Sequence, residues 1–134
     1  MPFYHAILRP DAVPTGEREA LANDVTGVHC DVTGAPRSFV HVLYTVDTAG
    51  RLPAGVDCLY RANIRSGRTA EQKRDLTQRL QQVTAARTNG SPASVDVQIA
   101  ETKASFVMEG GTLLPEPGSS EEEAWKALDQ TVDT

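Results

Sequence analysis

Two stretches, Gly34-Ala35-Pro36-Arg37-Ser38 and Gly90-Ser91-Pro92-Ala93-Ser94, share Gly, Pro and Ser at a constant offset of 56 residues (90 minus 34). Each closes a helical pattern and opens a β-rich one. Before the first, Leu21, Val25, Val28 and Val32 recur at spacings of four, three and four, the buried stripe of a helix. Thr15 is the expected cap at its start, and Gly34 with Pro36 stops it. Pro2–Leu8 reads as a strand, and so does Ser38–Val46 with its run Phe39-Val40-His41-Val42-Leu43-Tyr44. Before the second stretch, Cys58–Ile64 is extended and Thr69 opens a helix as a capping box with Gln72. Leu76, Leu80 and Val83 make that helix's stripe, and Asn89-Gly90 ends it. Val95, Val97 and Ile99 alternate in the last strand, Ser94–Ala100. The order strand, helix, strand therefore occurs twice, and the chain reads as a duplication.

Each unit is expected to be a right-handed β-α-β crossover with parallel strands. Two such units side by side give an α/β (α+β) fold with one mixed sheet and both helices on one face. The other face is expected to be bare and apolar, a surface for self-association. The domain spans 1–118, with units at about 2–46 and 58–100 and a linker at 47–57. Residues 119–134 form an acidic tail in which Trp125 and Leu128, at i and i+3, point to a short docking helix.

A chain of 134 residues is long enough for one real core. The net charge of −5 is concentrated in the tail, where five acids (Glu121, Glu122, Glu123, Asp129, Asp133) face Lys126 alone, leaving about −1 for the body. No basic field for nucleic acid exists, so any anion site must be local. No apolar run is long enough to cross a bilayer and no signal pattern opens the chain, so a soluble, cytoplasmic protein is expected. Cys30 and Cys58 have no metal or redox spacing and are expected to be reduced. No metal or organic cofactor is indicated.

Several residues could carry chemistry. Pro2 follows the initiator methionine, and its size permits removal of Met1. The chain would then begin with a secondary amine whose pKa, near about 8, suits proton transfer close to neutrality. Arg65 and Arg68, in Ile64-Arg65-Ser66-Gly67-Arg68-Thr69, stand just before a helix N-terminus, where the helix dipole disfavours cations. With orphan helix N–H groups nearby, two guanidiniums make a carboxylate or phosphate receptor. The plainer alternative is a solvated pair or a salt bridge between subunits. His29, at the edge of the first helix's buried face, reads by itself as a boundary residue. Glu116, bracketed by Pro115 and Pro117, reads by itself as a loop acid, and Glu101 and Glu109 are its rivals for any carboxylate role. His5 and His41 have no partners at ligand spacing.

Taken together, Pro2, His29, the Ile-Arg-Ser-Gly-Arg-Thr run and Leu114-Pro115-Glu116-Pro117-Gly118 resemble the tautomerase superfamily, and within it the cis-3-chloroacrylic acid dehalogenase group. The resemblance covers Pro2 to Gly118 and implies a tautomerase-like fold and a homotrimer. It implies that Pro2 is the catalytic amine, that Arg65 and Arg68 bind the substrate carboxylate with help from His29, and that Glu116 activates water for hydration. A tyrosine that the group places upstream of that glutamate is missing here, where Phe106 is nearest in shape. Phenylalanine cannot hydrogen-bond a water, which would lower hydration by roughly ten- to a thousand-fold. The expected activity is therefore enol–keto tautomerisation of small unsaturated or enolic carboxylates, with weak hydration or dehalogenation of 3-haloacrylates second. A non-catalytic trimeric scaffold of the same fold is the alternative, because a retained Met1 would turn the Pro2 nitrogen into an amide.

Overall fold

A computed structural model of the chain describes residues 1–132; Asp133 and Thr134, the last two residues of the expected acidic tail, lie outside the described residues. The elements run β1 (Phe3–Leu8), α1 (Arg18–Thr33), β2 (His41–Val46), β3 (Cys58–Arg65), α2 (Ala70–Arg87), β4 (Val95–Thr102), a small hairpin β5 (Met108–Glu109) and β6 (Thr112–Leu113), and α3 (Ser120–Val132). The main sheet has the order β2-β1-β3-β4. β1 is parallel to β2 and β3 is parallel to β4, while β1 and β3 meet antiparallel at the centre. Two β-α-β units thus share one mixed sheet.

One side of the sheet meets both helices. Tyr4, Ala6 and Leu8 of β1 and Tyr60, Ala62 and Ile64 of β3 pack with Leu21, Val25 and Val28 of α1 and Leu76 and Leu80 of α2. The helices run antiparallel to each other, with Asp24 paired to Arg87 at 2.9 Å and Asp31 to Arg79 at 3.0 Å. These pairs are partly exposed, so each contributes little beyond alignment.

Thr69 caps α2 as expected: its hydroxyl accepts from the Gln72 N–H and the Gln72 side chain accepts from the Thr69 N–H. Thr15 does not cap α1. Residues Thr15–Glu17 form a 3₁₀ turn instead, α1 begins at Arg18, and no side chain bonds its first turn. A 3₁₀ lead-in satisfies early N–H groups through its own tighter bonds, which removes the need for a hydroxyl. At the other end Gly34 adopts φ 75°, the left-handed cap, and its N–H bonds the Cys30 carbonyl at 2.8 Å.

The helix-free face of the sheet is open but not uniformly apolar. Phe3 and Leu43 are exposed there, among His5, His41, Thr45, Arg61, Asp96 and Gln98. The expected bare hydrophobic face is therefore a mixed one. Val- and Ile-rich patterning in the strands belongs to the helix side, and period-2 alternation puts polar residues opposite. Among the described residues, no helix is long and apolar enough to cross a membrane.

Candidate active site

The antiparallel pairing of β1 with β3 decides where the site lies. Phe3 sits opposite Asn63, so continuing that register puts Pro2 beside Ile64 and Met1 beside Arg65. The start of the chain and the Arg65-to-Arg68 turn therefore share one end of the sheet. A second, smaller core gathers there: Met1, Phe39, Ala104 and Leu114 are buried, with Val107 and Trp125 against them.

Arg65 is almost fully enclosed, at 1% exposure. Its Nη1 donates to the Pro115 carbonyl at 2.7 Å and its Nη2 to Oε1 of Glu122 at 2.9 Å, with the guanidinium 5.3 Å from the centre of the Phe39 ring. Trp125 meets the same phenylalanine edge-on at 5.0 Å. Arg68 is held more loosely. Its Nη1 donates to the Thr33 carbonyl at 3.3 Å, at the C-terminal end of α1. That helix end favours a cation, which offsets the unfavourable position before α2. Its Nε and Nη2 are buried without a hydrogen-bond partner.

His29 projects from the last turns of α1 and is buried. The Tyr4 hydroxyl meets its Nδ1 at 2.6 Å, and its Nε2 has no partner. Burial, then the positive charges of Arg68, Arg65 and the N-terminal amine, lower its pKa to about 3, so the ring is neutral at ordinary pH. Burial and then Arg65 lower the pKa of the Met1 amine to about 5. Glu109 forms an ion pair with that amine and pulls the opposite way. Burial and then Arg65 also pull Arg68 down. These mutual effects put His29, both arginines and the chain's amine within one electrostatic neighbourhood.

Glu109 reaches the amine because Gly110 and Gly111 take φ 57° and 80°, the paired left-handed residues of a tight hairpin turn, folding β5 onto β6. Glu116 is placed differently. It is exposed and lines a groove of about 430 Å³ with Ser105, Leu113, Ser119 and Trp125, one residue beyond the carbonyl that Arg65 holds. The structure thus brings together the amine end, His29, Arg65 and Arg68, with Glu109 rather than Glu116 at the amine.

A family model described as "Putative oxalocrotonate tautomerase enzyme" matches residues 1–130. The chain belongs to the tautomerase superfamily. Among solved structures, this tautomerase-family protein is similar to N1, a member of the cis-3-chloroacrylic acid dehalogenase family, at 33% identity, 98% coverage of both chains and a TM-score of 0.84. It shares its fold with a native fused 4-OT at 24% identity, covering 83% of this chain and 94% of that one, with a TM-score of 0.69. The Q0 fused 4-OT symmetric trimer is similar at 19% identity, with coverage of 84% and 94% and a TM-score of 0.74. No curated protein matches the chain.

Two groups at this candidate site are not singled out by the sequence. Tyr4 was counted only as strand, yet it orients His29. Glu122 was counted with the acidic tail, yet it is buried against Arg65. The signal for Glu122 was its place three residues before Trp125, on the same face of a helix.

Proposed function

We propose that the protein, once Met1 is removed, is an N-terminal-proline enzyme that shifts a proton in small enolic carboxylates. The observation that carries this reading is a cluster of unmet donors. Of the four buried side-chain polar atoms without partners among the described residues, three belong to His29 and Arg68. A buried polar atom left unbonded costs about 1–3 kcal/mol, so these three donors suit a ligand that accepts hydrogen bonds. With Tyr4 donating to Nδ1, the ring proton of His29 sits on Nε2, and Nε–H and Nη2–H of Arg68 form one edge of a fork. A carboxylate takes both.

The enol hydroxyl of the bound acid then loses its proton to the neutral Pro2 nitrogen as its C=O forms. The displaced C=C electrons take the proton back at carbon, so the reaction is an isomerisation with no net change in atoms. Burial and then Arg65 lower the pKa of the Met1 amine, and Glu109 pairs with it; acting on Pro2 in the same way after processing, they favour the neutral base and then steady the secondary ammonium that forms. Hydration or dehalogenation of 3-haloacrylates, with Glu116 activating water, stands second. Phe106 is 77% exposed and offers no hydroxyl to share that task. Assembly as a homotrimer through the open sheet face, and a cytoplasmic setting in keeping with two unbridged cysteines, belong to the same proposal.

Ketonisation of phenylenolpyruvate tests it: Pro2→Ala and Arg68→Ala should each nearly abolish turnover, and wild-type-like rates in either would refute the assignment. A non-catalytic scaffold of the same fold is the alternative, because a retained Met1 would make the Pro2 nitrogen an amide without useful basicity. Intact mass separates the two: loss of one methionine residue supports the enzyme, retention the scaffold.

A further inference from the structure

Glu122 is flanked by Glu121 and Glu123, both exposed, yet is itself 1% exposed. Its Oε1 accepts from Nη2 of Arg65 and its Oε2 accepts from the Gly118 N–H at 2.6 Å. Its own N–H bonds the Ser119 hydroxyl at 3.2 Å, so the first turn of α3 holds the carboxylate in place. Burial pushes its pKa up, but the bonds from Arg65 and Gly118 outweigh that and keep it ionised.

Charge counting at the cradle then has a definite outcome. Arg65 and Arg68 bring two positive charges, Glu122 removes one, and His29 is neutral. Arg65 directs one amino group to Glu122 and the other to the Pro115 carbonyl and is only 1% exposed, so its charge is compensated inside the protein rather than offered to a ligand. The remaining cation is Arg68, with two donors unused. Beyond it, the nearby acid at this end of the sheet is Glu109, which pairs with the Met1 amine. A ligand with one carboxylate is matched. The second carboxylate of a dianion would meet a neutralised arginine or another acid, in a place where an unmatched charge is costly.

We propose that Glu122 is the specificity-determining residue of this site: by occupying one of its two guanidiniums, it restricts the ligand to a single carboxylate. This rests on the carboxylate-binding reading above, and the test separates the two. Crotonate and fumarate share a trans four-carbon skeleton and differ in the second carboxylate. Their dissociation constants can be measured by ligand-observed NMR titration at about pH 7.5, where both acids are fully ionised. The wild type should bind crotonate at least about tenfold more tightly than fumarate. Glu122→Gln should close or invert that ratio, and Glu122→Asp should retain it. Fumarate binding to the wild type as tightly as crotonate would overturn the proposal even if Glu122→Gln failed to fold. So would a Glu122→Gln variant that weakens both ligands equally. Binding of neither ligand to the wild type would instead sink the carboxylate site itself, and this proposal with it.

Discussion

The two β-α-β units solve the same packing problem with different polar chemistry. Each buries a tyrosine on its first strand, Tyr4 and Tyr60, 56 residues apart, and each tyrosine reaches a polar residue near the end of its helix. In the second unit the Tyr60 hydroxyl meets the Thr84 hydroxyl at 2.8 Å, and neither is left without a partner. In the first, Tyr4 meets His29, and the imidazole has a second nitrogen that nothing satisfies. One unit has its buried polar pair satisfied and its twin keeps a donor unpaired. The unequal hydrogen bonding of the duplicated halves coincides with the ligand site proposed above.

The comparison can be broken most severely at the unpaired side. Arg68→Met should cost about 10²–10³-fold in kcat/KM on an enolic carboxylate, the scale of losing a preorganised charged donor. Thermal stability should change little, since two of its buried donors have no partner to lose. An Arg68→Met enzyme at full kcat/KM would show that these donors take no part in turnover.

His29→Thr copies the second unit's chemistry into the first, and its effect is on pH dependence. Unfolded, the ring takes a proton below about pH 6.5; folded, it resists until about pH 3. Its contribution to stability is therefore complete above about pH 6.5 and is lost as pH falls toward about 3. Urea denaturation across that window should give a shallower acid slope for His29→Thr than for the wild type. Equal slopes would mean that the ring is not held neutral.

Tyr60→Phe probes the satisfied side. It strands a buried Thr84 hydroxyl and should cost about 1–2 kcal/mol, with KM unchanged. Tyr4→Phe should cost about as much but also raise KM, because His29 then loses the bond that sets its tautomer. Similar KM values in the two variants would erase the distinction.

The smallest effects concern the glycines of the repeated exits. Gly34→Ala should cost about 1 kcal/mol from left-handed strain at φ 75°. Gly90→Ala should cost a similar amount for another reason: its new Cβ would stand 2.6 Å from the Ser94 hydroxyl oxygen. Adding Ser94→Ala should relieve the second loss and leave the first untouched.

Those glycines also show how far the chain could be read directly. The shared Gly, Pro and Ser identified both helix exits, yet the local geometry differs. Pro36 precedes the 3₁₀ turn Arg37–Phe39, whereas Pro92 begins the turn Pro92–Ser94. The capping box at Thr69 was legible because both partners are three residues apart. Thr15 misled because a hydroxyl before a helix cannot announce a 3₁₀ lead-in. Glu116 stood out between two prolines, but rigidity says nothing about direction, and the turn aims that side chain outward.

Hydrophobic spacing, caps and the offset of 56 residues were enough, by themselves, to establish two β-α-β units and a mixed sheet. They are local properties, set within a few turns of helix or a single strand. The same reading proposed His29, Arg65 and Arg68 as partners. Which of those groups has donors to spare, and which carboxylate stands at the chain's first amine, came only from the folded molecule. Hydrogen-bond satisfaction and charge compensation depend on neighbours distant in sequence: Glu122 reaches Arg65 from 57 residues away and leaves Arg68 as the cation with unused donors.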